Sequence, residues 1–130
     1  MTVAVVYSET DEGRAALVAA IGEARLRSSE LAVLYVPDSD EPVSEVVEAA
    51  ITAKVLDAVA GFDGETSIHF ASRGRNIAGA IVDLTAEVGA SLLVQGSRRR
   101  TATGKFLLGS TVQRVLLDST VPVLTVKAPG

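Results

Sequence analysis

The chain contains no cysteine. Disulfides, thiolate metal sites and a cysteine nucleophile are therefore excluded. Tryptophan is also missing and aromatic residues make up only 4% of the sequence, so aliphatic side chains must build the core. That profile suits a buried parallel sheet flanked by helices better than an aromatic-rich β-sandwich. The single histidine, His69, lies mid-strand with no Cys, His or carboxylate at ligand spacing, which argues for a structural role and against a zinc site or a Ser-His-Asp arrangement. No dedicated catalytic machinery is expected, and any slow nucleotide hydrolysis would be incidental. Long apolar runs are absent too. Val3-Ala4-Val5-Val6 has no basic stretch before it and is cut short by the charged segment Glu9 to Arg14. Neither a signal peptide nor a membrane span is expected, and cytoplasmic residence is the default.

Acids are missing from one long stretch. Between Glu87 and Asp118 there is no carboxylate side chain, while Arg98, Arg99, Arg100, Lys105 and Arg114 all fall there. The first 65 residues hold 4 basic and 13 acidic side chains, a balance of −9, and the remaining 65 hold 8 and 3, a balance of +5. The basic stretch reads either as a solvated face or as a site for an anion such as phosphate. A net charge of −4 argues against a general nucleic-acid binder.

A length of 130 residues fits one domain, spanning residues 1–130. Along it, strand-like and helix-like segments alternate. Val3–Tyr7 and Leu31–Val36 are uninterrupted apolar runs of the kind that lie in a sheet covered on both faces. Thr66–Ala71 alternates, Ser91–Gln95 is a fourth strand, and Val121–Val126 a fifth with Pro122 near its start. Between them, Thr10 with Asp11 and Glu12 opens a helix running to about Arg27. A second helix, carrying Val46, Ile51 and Val59, ends near Gly61, and a third is stopped by Gly89. A fourth carries Val112, Val115 and Leu116, with Ser110 or Thr111 as its cap. The Pro37–Pro42 stretch is a loop, and its acids Asp38, Asp40 and Glu41 read as solvated rather than as a metal cluster. This order predicts an α/β fold with a parallel sheet and helices on both faces.

Ligands in such sheets bind beyond the carboxyl ends of the strands. That edge comprises Tyr7 and Ser8 after the first strand, Val36 after the second, and the stretch from Gln95 and Gly96 onward after the fourth. The last of these leads into a connection of about a dozen residues, longer than an ordinary βα loop. Glycines at its ends, Gly96 and Gly109, allow positive φ and close approach of a ligand to the backbone. Amides of Ser110 and Thr111 at a helix start favour an anion, and the arginines can form forked bonds to phosphate oxygens. Equally, the glycines could only turn the chain and Ser110 could only cap the helix. Thr103-Gly104-Lys105-Phe106 is not a P-loop, because Arg99 and Phe106 stand where glycine and Ser/Thr are needed. Gly74 and Gly79 do not form a dinucleotide fingerprint.

Gly96-Ser97-Arg98 through Leu108-Gly109-Ser110-Thr111, followed by Val121-Pro122-Val123-Leu124-Thr125-Val126, resembles the C-terminal signature of universal stress proteins. In nucleotide-binding members this signature reads Gly-x2-Gly-x9-Gly-(Ser/Thr), then a helix and a Pro-Val-containing strand. Gly13-Arg14-Ala15-Ala16-Leu17 and Gly89-Ala90-Ser91-Leu92-Leu93-Val94 are similar as well, so the resemblance covers essentially the whole chain. It implies a Rossmann-like three-layer α/β/α domain of the adenine nucleotide alpha hydrolase type, with strand order 3-2-1-4-5, acting in stress response and usually dimeric. Some members bind ATP and others do not. Carried over, Gly96, Gly109, Ser110 and Thr111 are phosphate-loop positions, and Val6 and Val36 lie near the base and ribose.

Two departures bear on ATP. The second glycine of the signature falls on Arg99, and the aspartate that binders carry after the first strand falls on Ser8. Arg99 could block the pocket or supply a phosphate contact of its own. Two functions stay open at this stage. One is a stress-response domain binding ATP or another phosphate-bearing ligand through the Gly96–Thr111 loop. The other is a dimeric interaction module whose arginine run meets an acidic partner protein. A nucleotidyl-transferring enzyme lacks support, since no His-x-Gly-His or Ser-Gly-Gly motif is present. The apolar last strand, at a sheet edge, invites pairing with a second copy.

Overall fold

The computed structural model describes residues 1–98 and 108–128. Its elements run β1 (Thr2–Val6), α1 (Asp11–Arg27), β2 (Glu30–Tyr35), α2 (Glu45–Ala58), β3 (Thr66–Phe70), α3 (Ile77–Glu87), β4 (Leu92–Ser97), α4 (Ser110–Asp118) and β5 (Val123–Lys127). The five strands form one sheet of order β3-β2-β1-β4-β5, and every neighbouring pair is parallel. The expected α/β architecture and strand order both hold.

The central strands explain the apolar runs. Val3, Ala4 and Val5 of β1 are fully buried, as are Leu31, Val33 and Leu34 of β2 and Leu93 and Val94 of β4. Side chains alternate faces along a strand, so each run feeds two cores at once. Val3, Val5, Leu31, Val33 and Val94 pack under Ala16, Leu17 and Ala20 of α1 and Ile51 and Val55 of α2. Ala4, Ala32, Leu34 and Leu93 pack on the other face under Ala78, Ile81 and Leu84 of α3 and Val115 of α4. Each fully buried leucine contributes about 2 kcal/mol of transfer free energy. Helices α1 and α2 thus cover one face and α3 and α4 the other, giving three layers.

Helix starts follow local chemistry. Thr10 caps α1 by accepting from the Gly13 N–H at 3.0 Å, with Asp11 and Glu12 in the first turn. Ser44 caps α2 through the Val47 N–H at 3.2 Å, and Asn76 caps α3 through the Gly79 N–H at 2.6 Å. Helix α4 differs: its cap is Gly109, which makes no side-chain bond.

Some boundaries move from the sequence expectation. Tyr7 and Val36 fall one residue past their strands, although the Tyr7 N–H still donates to the Leu34 carbonyl at 2.8 Å. The fifth strand begins at Val123 rather than Val121, leaving Pro122 outside it, where the missing amide is no loss and its carbonyl accepts from the Leu93 N–H at 3.0 Å. The fourth strand continues through Gly96 to Ser97, so Gly96 lies inside a strand rather than ending it.

Candidate functional site

Strand order reverses at β1 and β4: the chain runs outward from β1 through β2 to β3, then returns to the far side of β1 with β4. Connections at their carboxyl ends therefore part, leaving a crevice. A cleft of about 600 Å³ opens there. Tyr7, Ser8, Glu9 and Glu12 line it from the β1–α1 segment, Tyr35 to Asp38 from the end of β2, and Ile77 from α3. Gly96, Ser97 and Arg98 line it from β4, and Gly109 to Val112 from the start of α4. Tyr7, Ser8, Val36, Gly96, Gly109, Ser110 and Thr111 of the expected site thus share one cleft. Val6 and Gln95 line a smaller cavity of about 130 Å³ formed with Gly13, Ile81 and several residues that also line the cleft, among them Tyr7, Ser8 and Gly96. Arg99 lies outside the described residues, as do Arg100, Thr101, Thr103 and Lys105 of the basic stretch.

The floor is made by backbones in contact. A Cβ on Gly96 would fall on the Glu12 carbonyl, 2.5 Å from its carbon. A Cβ on Gly13 would collide with Ser8, lying 2.6 Å from its nitrogen. Gly96 was expected to serve close approach by a ligand; the close approach it serves is that of α1. Ser8 is fixed in the same knot, its hydroxyl 2.7 Å from that of Thr10, the α1 cap.

Gly109 has the opposite surroundings. Its φ is −64° and ψ 158°, ordinary extended backbone, and nothing among the described residues stands within 4 Å of where its Cβ would be. The positive φ expected there is absent. Since Gly109 is the cap, Ser110 and Thr111 are not caps but the first residues of the helix. The leading amides of a helix have no intrahelical acceptor, and no cap side chain takes them up here. Gln95 holds this turn in place: its amide nitrogen donates to the Val112 carbonyl at 3.3 Å and to the Thr125 hydroxyl at 3.2 Å. Gln95 is only 3% exposed, so its role is to tie α4 and β5 to β4 beneath the cleft.

Ser97 belongs to the Gly96–Thr111 stretch, where its hydroxyl is an expected donor to an anion. It is 1% exposed, lines the cleft, and its hydroxyl finds no hydrogen-bond partner among the described residues. A buried polar atom left in that condition costs about 1–3 kcal/mol.

The rim carries ion pairs that sequence spacing does not reveal. Glu9 pairs with Lys54 of α2, which holds the Lys54 ammonium above its usual range. Arg73, from the β3–α3 connection, donates from Nη1 to Asp38 Oδ1 at 2.7 Å and from Nε to Asp40 Oδ1 at 3.0 Å. The Asp40 carboxyl is held below its usual range by the hydrogen bond from Arg73 and by its charge. Asp38 and Asp40, read from sequence as merely solvated, share a cation more than thirty residues away. His69 makes one local contact, its Nε2 2.9 Å from the Ser67 hydroxyl. No cluster of three metal-ligating side chains occurs among the described residues, and no helix among them is long and apolar enough to cross a membrane.

The cleft is therefore a concave site with the start of α4 and a buried hydroxyl, unpartnered among the described residues, on its β4 side and the Asp38 carboxylate on its β2 side. Comparison with known proteins agrees with the fold. The chain is 34% identical to a universal stress protein of Mycolicibacterium smegmatis over 98% of both sequences. Its structure is similar to a universal stress protein of Archaeoglobus fulgidus, with a TM-score of 0.79, 26% identity, and 96% and 97% of the two chains covered. It is also similar to a universal stress protein solved in complex with cAMP, with a TM-score of 0.77, 26% identity, and coverage of 99% and 98%. The model of the universal stress protein family matches residues 1–127. With the signature loop, the strand order and these matches in agreement, the chain belongs to the universal stress protein family.

Proposed function

We propose that the cleft binds an adenine nucleotide, with phosphate at the first turn of α4 and the base toward the apolar wall of Val36 and Ile77. The observation that carries this reading is the Ser97 hydroxyl, buried without a partner among the described residues in the cleft that the glycine-capped start of α4 also lines. A phosphate oxygen there would accept from the hydroxyl and from the free amides, and the helix dipole favours its charge. Arg98 beside it adds a cation. A volume of about 600 Å³ lies within the usual range for small-molecule sites. The related protein bound to cAMP supports the same ligand class. Ligand is held rather than turned over, and occupancy serves a regulatory role in stress response.

The test is calorimetric titration with cAMP, AMP and ATP. Absence of heat with all of them up to millimolar ligand would overturn the reading. Ser97→Ala gives a second, signed check. Removing a hydroxyl that is unpartnered in the free protein is expected to raise its melting temperature by a few degrees. The same change is expected to weaken nucleotide binding about tenfold, as loss of a charge-assisted bond does. A variant that is less stable and binds normally would sink the assignment of this hydroxyl.

We also propose that two copies pair along β5. This strand is the sheet edge, and Leu124 on it is 37% exposed. Nearby helix α4 exposes Leu116 and Leu117. An uncovered apolar edge of this kind is a pairing template. Sedimentation at micromolar concentration is expected to give a dimer, and Leu124→Arg a monomer. A 13.4 kDa species alone for the unaltered chain would refute the pairing.

A further inference from the structure

The two sides of the cleft differ in chemistry. On the β4 side stand the α4 amides, Ser97 and Arg98; on the β2 side stands the Asp38 carboxylate. A nucleotide has the matching polarity, with an anionic phosphate and hydroxyl donors on its sugar. The resemblance to nucleotide-binding relatives calls for an aspartate after β1, yet Ser8 stands there and its hydroxyl is engaged with Thr10.

Three acids border the cleft: Glu9, Glu12 and Asp38. Glu9 is drawn to Lys54. Glu12 belongs to the α1 turn packed against Gly96, on the β4 side. Asp38 follows Val36 and Pro37 just beyond the end of β2, the place where doubly wound sheets put an acid to meet a ribose hydroxyl. Its loop is braced from within, with the Ser39 N–H donating to the Pro37 carbonyl at 2.9 Å and the Glu41 N–H to the Ser39 hydroxyl at 3.2 Å. Arg73 braces it from outside, engaging only Oδ1 of Asp38 at 2.7 Å. A carboxylate has about four acceptor positions on two oxygens, so this pairing leaves capacity for a ligand donor.

We propose that Asp38 is the group that reads the ribose hydroxyl of the bound nucleotide, and that Arg73 is its positioning residue. Asp38 so placed supplies from β2 the acceptor that Ser8 cannot supply from β1. Ion pairs as exposed as those of Arg73 add little to stability, so the consequence of the pairing is geometric. It fixes one oxygen of a flexible, exposed side chain and lowers the entropic cost of aligning the other. The proposal rests on the nucleotide reading above and adds the determinant of sugar recognition.

Cyclic AMP keeps a single free ribose hydroxyl, the 2′, so the test compares cAMP with 2′-deoxy-cAMP by calorimetric titration. The unaltered chain is expected to prefer cAMP about tenfold, the value of one hydrogen bond to a charged acceptor. Asp38→Ala is expected to abolish the preference while binding 2′-deoxy-cAMP as tightly as before, which also verifies that the variant is folded. Arg73→Ala is expected to reduce the preference and Arg73→Lys to restore part of it. Glu41→Gln, which removes the same charge from the same loop outside the cleft, is expected to keep it. Equal affinity of the unaltered chain for both nucleotides, or an undiminished preference in Asp38→Ala, would overturn the proposal. Binding of neither nucleotide would instead overturn the nucleotide reading on which it stands.

Discussion

Gly109→Asp is expected to leave the fold intact and to weaken nucleotide binding roughly a hundredfold or more. The fold survives because φ −64° and ψ 158° suit any residue, and the space where a Cβ would go is open to 4 Å. An aspartate at this cap would accept from the amides of α4 and complement its dipole, which together stabilise by a few tenths to about 1 kcal/mol. Binding suffers for the same reason. The new carboxylate occupies the amides that a phosphate would use and repels it at short range, a like-charge cost of about 4 kcal/mol at 4 Å with an effective dielectric constant of 20. Thermal melting and calorimetry on the same sample separate the two effects. A variant that melts slightly higher and no longer takes up cAMP agrees with phosphate at α4. One that binds as the unaltered chain does removes α4 from the site.

Gly96→Ala is expected to act through the fold itself, lowering stability by about 3 kcal/mol. Its methyl would fall on the Glu12 carbonyl, 2.5 Å from the carbonyl carbon. Neither side yields easily. Gly96 sits in β4, registered against Val126 of β5. Glu12 is in the first turn of a helix capped by Thr10 and pressed on Ser8 through Gly13. Overpacking of this kind costs about 1–3 kcal/mol and occasionally more, a large part of the 5–15 kcal/mol typical of a domain. Urea unfolding measures it through a fall in the midpoint at unchanged slope. A loss below about 0.5 kcal/mol would show that α1 can step aside.

These two glycines also show how far the sequence could be read. Both mark the signature loop, and from spacing alone they look equivalent. The layers were legible because the buried runs, such as Leu31–Leu34 and Leu92–Val94, need cover on both faces and a parallel sheet with alternating helices provides it, whereas strand order came only with the family resemblance. The location of the cleft was legible as well, because it follows from where strand order reverses. What each residue does there was not. Gly96 answers to a helix some eighty residues earlier in the chain, and Gly109 to nothing among the described residues, a distinction that only tertiary contact reveals. Ser110 and Thr111 looked like caps because their side chains can cap, yet a glycine one residue earlier holds that position. Asp38 and Asp40 looked solvated because Arg73 lies too far along the chain for any local pattern to connect them.

The backbone contact between β4 and α1 has a consequence for redesign of ligand choice. A floor in which Gly96 meets Glu12 and Gly13 meets Ser8 admits no added atoms. Libraries built on these positions would return mostly unfolded chains. Variation in what the cleft accepts has to enter through its walls instead, at Asp38 and Arg98, exposed residues that line it.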